Sequence, residues 1–266
     1  MTNSFVARAG GRIAYEVHGR GPLVVLAHGM GENRHSYRHL VPLLVAAGYR
    51  VASVDVRGHG DSSTGWPTYA PVEVGADLLA VVRDLDGGPA TLVGNSSSAA
   101  AVVFAATDAP ELVNAIVLVG AFVAEPKLNP FMRLAVAAVV RSPRLFGMFH
   151  RTLFPVHRPA DDAEYRRQLV AALRRPGRMA PVRGVAAPVE PHWTTRAPQV
   201  RQPVLVLMGT KDPDFPDPAA EARAARRLFR IAEARMITDA GHYPHADRPE
   251  AMTSELVDFL AVTDNA

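Results

Sequence analysis

The chain has 266 residues, 48% of them hydrophobic and 21% charged, with a mean hydropathy near zero. That balance excludes a disordered chain and a multi-span membrane protein, and it suffices for one sizeable core with a small accessory lobe. No cysteine is present, which excludes disulfides, thiolate metal sites and a thiol nucleophile.

The formal net charge of +3 is unevenly spread. Between 121 and 200 there are 12 Arg and one Lys against five acids, a net of +8 that leaves −5 for the rest. Such a stretch reads as a solvated, Arg-rich helical lobe; it also leaves room for attraction of an anionic substrate. No zinc finger, RNA-recognition signature or basic helix with interleaved aromatics is present, so nucleic acid is not an expected partner. The run Leu23–Gly29 is too short to span a bilayer, and the first thirty residues lack a secretory pattern. The expectation is a cytoplasmic protein with no membrane partner.

In chain order, Ser4–Ala7 and Arg12–Val17 flank "AGG" and predict an antiparallel hairpin. Leu23–Ala27, Val51–Val54, Ala90–Val93, Ala115–Val119 and Val204–Met208 are short, apolar and rich in β-branched residues, as buried parallel strands are. His35–Ala47, Pro71–Asp86, Ser96–Asp108 and Ala219–Arg230 have helix length. Ala234–Ile237 predicts a last strand and Pro249–Ala261 a closing helix. Between about 122 and 200 the alternation stops. Prolines are frequent, helical periodicity comes in pieces (Phe131–Val140, Asp161–Leu173), and no strand is evident. The expectation is an α/β fold with a mostly parallel central sheet and flanking helices. A core formed by 1–121 and 201–266 would carry a helical lid, 122–200, inserted after the sixth strand. In open α/β sheets ligands sit beyond the carboxyl ends of the strands, so the residues there are the ones to inspect.

After Ala90–Val93 stands "GNSSS". A nucleophile at the apex of a tight strand-to-helix turn needs small residues two before and two after it. Ser96 at the apex is flanked by Gly94 and Ser98. Ser98 at the apex would lack the glycine, and Ser97 would place Asn95 at the tight position. Ser97 and Ser98 then start the helix, where hydroxyls can satisfy free backbone donors. After Leu23–Ala27 comes "HGMGEN", whose Met30 amide, with that of Ser97, suits an oxyanion hole. His28 is read as bracing this loop rather than as a base. Asp212, four residues past the fifth apolar run, suits the orienting acid, with Asp214 and Asp217 as rivals, Asp217 being also placed to cap the next helix. His242 in "DAGHYPH" suits the proton shuttle; His245 is its rival, but lying nearer the helix it is read as a surface residue.

These stretches, with "DVRGHGDSS" at Asp55–Ser63, resemble the α/β-hydrolase fold superfamily over nearly the whole chain. The resemblance implies Ser96 as nucleophile, His242 as base, Asp212 as acid, and the Met30 and Ser97 amides as oxyanion donors. It makes Asp55, Arg57, His59 and Asp61 scaffold. Serine at the apex favours acyl transfer to water, hence hydrolysis of a small carboxylic ester or lactone. Asn95 before the serine is similar to the meta-cleavage product hydrolases, which break carbon–carbon bonds, but Tyr243 stands where those commonly carry Trp. A third alternative is a ligand-binding protein on the same fold with little turnover. Ser98 departs from the family's usual second glycine. Phe131, Met132, Trp193 and Tyr243 are candidate substrate contacts, though Phe131, Met132 and Trp193 are also what a lid packs against its domain. The substrate is expected to be a mostly apolar small molecule, with no cofactor and no metal.

Overall fold

The computed structural model describes residues 3–124, 129–186 and 192–263. Eight strands form one sheet in the order β1-β2-β4-β3-β5-β6-β7-β8. β1 (Ser4–Arg8) and β2 (Gly11–His18) form the hairpin, and β2 adds antiparallel to β4 (Arg50–Val54). β3 (Leu23–Ala27), β5 (Ala90–Asn95), β6 (Val113–Val119), β7 (Val204–Gly209) and β8 (Ala232–Ile237) run parallel with β4.

The central strands are apolar at most positions because both faces are covered, β3 throughout and β5 and β6 apart from Thr91, Asn95 and Asn114. Alternate residues of β3 point to opposite sides. Val24 and Leu26 pack under α1 (Leu40–Ala46) and α10 (Pro249–Thr263), with Leu44, Leu256 and Phe259. Leu23, Val25 and Ala27 pack under α2 (Pro71–Asp84), α3 (Ser97–Asp108) and α8 (Pro218–Arg227), with Leu78, Val102 and Ala222. Each such Leu or Val buried contributes about 1.5–3 kcal/mol.

One expected helix is split. His35–Ala47 becomes a 3-10 turn, Arg34–Tyr37, followed by α1, because the Arg34 amide and guanidinium are both drawn to the buried Asp55 carboxylate. Helices α4 (Pro130–Val139), α5 (Pro143–Thr152), α6 (Asp162–Leu173) and α7 (Met179–Val185) all fall between β6 and β7. Asn129 and Ser142 cap α4 and α5 through their side chains. Pro126, Pro188 and Pro191, among the prolines that mark this stretch, lie outside the described residues. A short α9 (Pro244–Asp247) precedes α10.

The chain leaves β3 for β4 on one side and returns to β5 on the other. The loops beyond β3 and β5 therefore diverge and leave a crevice at the carboxyl edge of the sheet.

Candidate active site

Ser96 follows β5 with φ 54° and ψ −118°, a conformation that a residue with a Cβ rarely adopts. The turn is held by Ser96 N–H donating to the Val119 carbonyl at 2.8 Å and by Ala99 N–H returning to the Ser96 carbonyl at 2.9 Å. A Cβ on Gly94 would run into the Ser98 carbonyl oxygen, so the tight approach falls on Gly94. Ser98 does not satisfy a helix donor as the sequence suggests. Its hydroxyl donates 2.6 Å to the His28 carbonyl in the loop beyond β3, because its side chain points across the crevice and not along the helix.

That loop packs directly on the serine turn. A Cβ on Gly29 would lie 3.1 Å from the Ser96 Cβ. His28 is fully buried: Nδ1 lies 2.8 Å from the Gly29 carbonyl, and Nε2 accepts from the Val56 N–H at 3.1 Å. Both ring nitrogens are committed to backbone, and burial pulls the pKa down to about 4. His59 Nε2 accepts from the Gly31 N–H at 3.1 Å, and Asp55 binds Arg34 and the Asp61 N–H. The "DVRGHGDSS" stretch thus braces the neighbouring loop. Among the described residues, the Met30 N–H has no hydrogen-bond acceptor.

Asp212 is 2% exposed in the turn beyond β7, and its Oδ2 lies 2.7 Å from His242 Nδ1. Asp212 Oδ1 accepts from the Asp214 N–H at 3.0 Å, while the Asp214 carboxylate stands 3.7 Å from His242 Nδ1. Asp217 caps α8 by accepting from the Ala220 N–H. His242 lies between β8 and α9. Its N–H donates to the Leu153 carbonyl at 3.1 Å, and its carbonyl accepts from Asn95 Nδ2 at 3.3 Å. A Cβ on Gly120 would come within 2.9 Å of the ring. Burial works to lower the His242 pKa, but the adjoining Asp212 carboxylate outweighs it and pushes the value up to about 9. Atoms of Asp212, Asp214 and His242 lie within 4.8 Å of one another, as metal ligands do. A cation there would have to displace the Asp212–His242 hydrogen bond, since Nδ1 is the nitrogen that faces both carboxylates.

His245 is not the surface residue expected from its position. It is fully buried, 2.7 Å from the Ser36 hydroxyl, and its ring lies against Tyr37. The short helix α9 turns it inward. The four expected substrate contacts do not come together. Phe131 and Met132 lie on an open face of α4, exposed by 80% and 45%. Trp193 is packed on Phe229 in the core, its indole N–H donating to the Phe122 carbonyl. Tyr243 is buried against Phe154 and His150. The Tyr243 ring stands 5.2 Å from that of His242, and two rings that sequence reasoning passed over stand by it as well: Phe122 and Phe215 pack on each other at 4.6 Å, and their centroids lie 6.1 and 6.4 Å from that of His242. Both follow strands, Phe122 after β6 and Phe215 after β7, so the rule that led to Asp212 also pointed to them.

A doubly covered, mostly parallel sheet with a strained serine turn and a buried Asp–His pair at its carboxyl edge is the architecture of a hydrolase. Residues 24–255 match the sequence profile of the Alpha/beta hydrolase family, and the chain belongs to that family. It is 30% identical over 261 residues to a Mycobacterium tuberculosis protein named "Putative non-heme bromoperoxidase BpoC", an alignment covering 94% of this chain and 97% of that one. A bromoperoxidase from Bacillus anthracis superposes with a TM-score of 0.83 at 21% identity, over 98% of this chain and 100% of that one, a likeness of fold. The esterase RhEst1 from Rhodococcus sp. ECU1013 superposes with a TM-score of 0.81 at 25% identity, over 98% and 99%. No helix among the described residues is long and apolar enough to cross a membrane.

Proposed function

We propose that the protein is a serine hydrolase that cleaves a small carboxylic ester or lactone through an acyl-enzyme. The observation that carries this reading is the buried 2.7 Å contact between Asp212 and His242 Nδ1. It holds the proton on Nδ1 and leaves Nε2, which has no partner among the described residues, as the basic nitrogen. Ser96 attacks the carbonyl carbon while His242 Nε2 takes the hydroxyl proton. The oxyanion is received by the Met30 N–H and by the Ser97 N–H in the first turn of α3, where backbone donors lack helical partners. The leaving alkoxide takes the proton from His242, and water, deprotonated by the same nitrogen, releases the acid and restores Ser96. Phe122 and Phe215 form an apolar wall beside His242 and support a mostly apolar acyl or alcohol group. Helices α4–α7 serve as the lid. The esterase among the similar structures supports the same chemistry.

A second reading follows from the bromoperoxidase name of the 30% identical relative. If hydrogen peroxide replaces water in the second step, the acyl-enzyme yields a peroxy acid and free Ser96, and the peroxy acid oxidises bromide. The test is hydrolysis of acyl esters of graded chain length and of lactones, with bromination in acetate and peroxide as a parallel assay and Ser96→Ala as blank. A fluorophosphonate should label the wild type only. Equal labelling of the variant sinks the assignment.

A further inference from the structure

Glu32 has no part in the proposed triad, yet it is buried in the loop that carries Met30, 2% exposed. Its Oε2 accepts a hydrogen bond from the Tyr165 hydroxyl on α6. Its Oε1 lies 2.7 Å from His150 Nε2 on α5, a close contact off the line of an aligned hydrogen bond. His150 is 1% exposed and stacks on Tyr243, the neighbour of His242, with centroids 5.4 Å apart. One turn before His150, Phe146 fills the space where a Cβ on Gly31 would stand. Just past α5, the Leu153 carbonyl takes the His242 N–H. Helix α5 therefore touches both the Met30 loop and the His242 loop, and Glu32 is the polar point of attachment.

Isolating a carboxylate from water costs several kcal/mol unless it is paired, so such a group is out of place in a purely apolar contact. Burial works to raise the Glu32 pKa, but His150 and Tyr165 outweigh it and hold the group below the usual carboxylate range. The groups facing Glu32 are His150 from α5, Tyr165 from α6, His28 beyond β3, Tyr37 from the 3-10 turn, and His242, Tyr243 and His245 around α9. Those facing His242 are Asp212 and Asp214 beyond β7, Glu32, and the neighbouring Tyr243 and His245. A short chain of contacts joins the two: Glu32 meets His150, His150 stacks on Tyr243, and the Tyr243 ring stands 5.2 Å from that of His242, a buried path along which charge is weakly screened.

We propose that Glu32 is a positioning residue for the reaction: pinned by His150 and Tyr165, its carboxylate ties the Met30 loop to α5, the helix that also holds the His242 loop, and adds to Asp212 and Asp214 a further negative charge that stabilises the His242 imidazolium. This rests on the Ser96–His242–Asp212 reading. The imidazolium exists while the tetrahedral intermediate does, so a charge that favours it acts in the transition state.

The test is Glu32→Gln, which keeps the shape and removes the charge, measured as kcat, KM and the pH profile of kcat/KM. The expected result is a fall in kcat of about tenfold with KM nearly unchanged. The midpoint of the rising limb should move to lower pH by about half a unit, because His242 loses a stabilising negative charge. Glu32→Asp should keep the midpoint and lower kcat, and Tyr165→Phe should do the same, since both loosen the attachment but retain the charge. These two variants also decide the matter if Glu32→Gln does not fold: a wild-type kcat in both overturns the positioning role. A wild-type midpoint in folded Glu32→Gln overturns the proposal while Ser96→Ala remains inert. Full activity in Ser96→Ala overturns the triad reading, and this inference with it.

Discussion

The Ser98 hydroxyl donates a 2.6 Å hydrogen bond to the carbonyl of His28 and so ties the helix that follows the candidate nucleophile to the loop that precedes Met30. The residue that departs from the usual glycine is therefore a strut. Ser98→Gly or Ser98→Ala leaves the His28 carbonyl buried without this partner, at a cost of about 1–3 kcal/mol. For a chain of this size that lowers Tm by roughly 2–10 °C. Thermal unfolding and kcat measured together should show both falling, kcat because the Met30 amide loses its fixed position.

Relief of strain at Ser96 separates stability from activity. Ser96→Gly removes the Cβ from a backbone with φ 54°, and should raise stability by about 1 kcal/mol. The same change should lower kcat/KM by about three orders of magnitude or more. Chemical denaturation alongside ester hydrolysis measures both; a glycine variant less stable than the wild type counts against strain at this position.

The pH profile should rise towards the alkaline side. His242 must be neutral to accept the serine proton, and the Asp212 carboxylate, against the effect of burial, pushes its pKa up to about 9. In Asp212→Asn the strongest raising influence is gone and only the weaker pull of Asp214 and Glu32 stands against burial, so the midpoint should drop well below that of the wild type, with a large loss of kcat. Stability carries the same signature. The folded pKa lies above the ordinary value of 6.5, so the pair's contribution is complete below that pH and is lost as the pH rises towards 9. Urea titrations at pH 6 and pH 9.5 should show the difference in the wild type and not in Asp212→Asn.

Phe215 should set chain-length preference. Phe215→Ala opens the wall that Phe122 and Phe215 form beside His242. The loss in kcat/KM for long acyl esters should be about 10–100-fold, with little change for acetates. An equal loss for all chain lengths would mean that the ring supports His242 rather than the substrate.

Much of the sheet was legible because its signals are local. Five apolar runs fell within observed strands, and the structure lengthened some at their ends, Ala90–Val93 to Ala90–Asn95 and Ala115–Val119 to Val113–Val119. Backbone pairing continues past the last apolar residue, which composition alone does not reveal. Helix α5 is amphipathic, with Phe146, Gly147 and His150 on its buried face, but that this face meets α6 and the Met30 loop is decided by tertiary packing.

At the site, local sequence reached as far as positions. Gly94 and Ser96 announce a tight turn, and Asp212 and His242 stand after successive strands. Which carboxylate the imidazole takes, Asp212 at 2.7 Å or Asp214 at 3.7 Å, is settled by how two loops meet across the sheet edge. Burial of His245 against Ser36, the Ser98–His28 bond and the Glu32–His150 contact likewise join residues far apart in the chain. By itself the sequence determined the alternation of strands and helices and the turn that only glycine permits, because hydrophobic period and backbone sterics act over a few residues. The tertiary structure alone decided the partners of the buried polar groups, because a hydrogen bond between distant segments exists only once packing has excluded water and brought them to within 3 Å of each other.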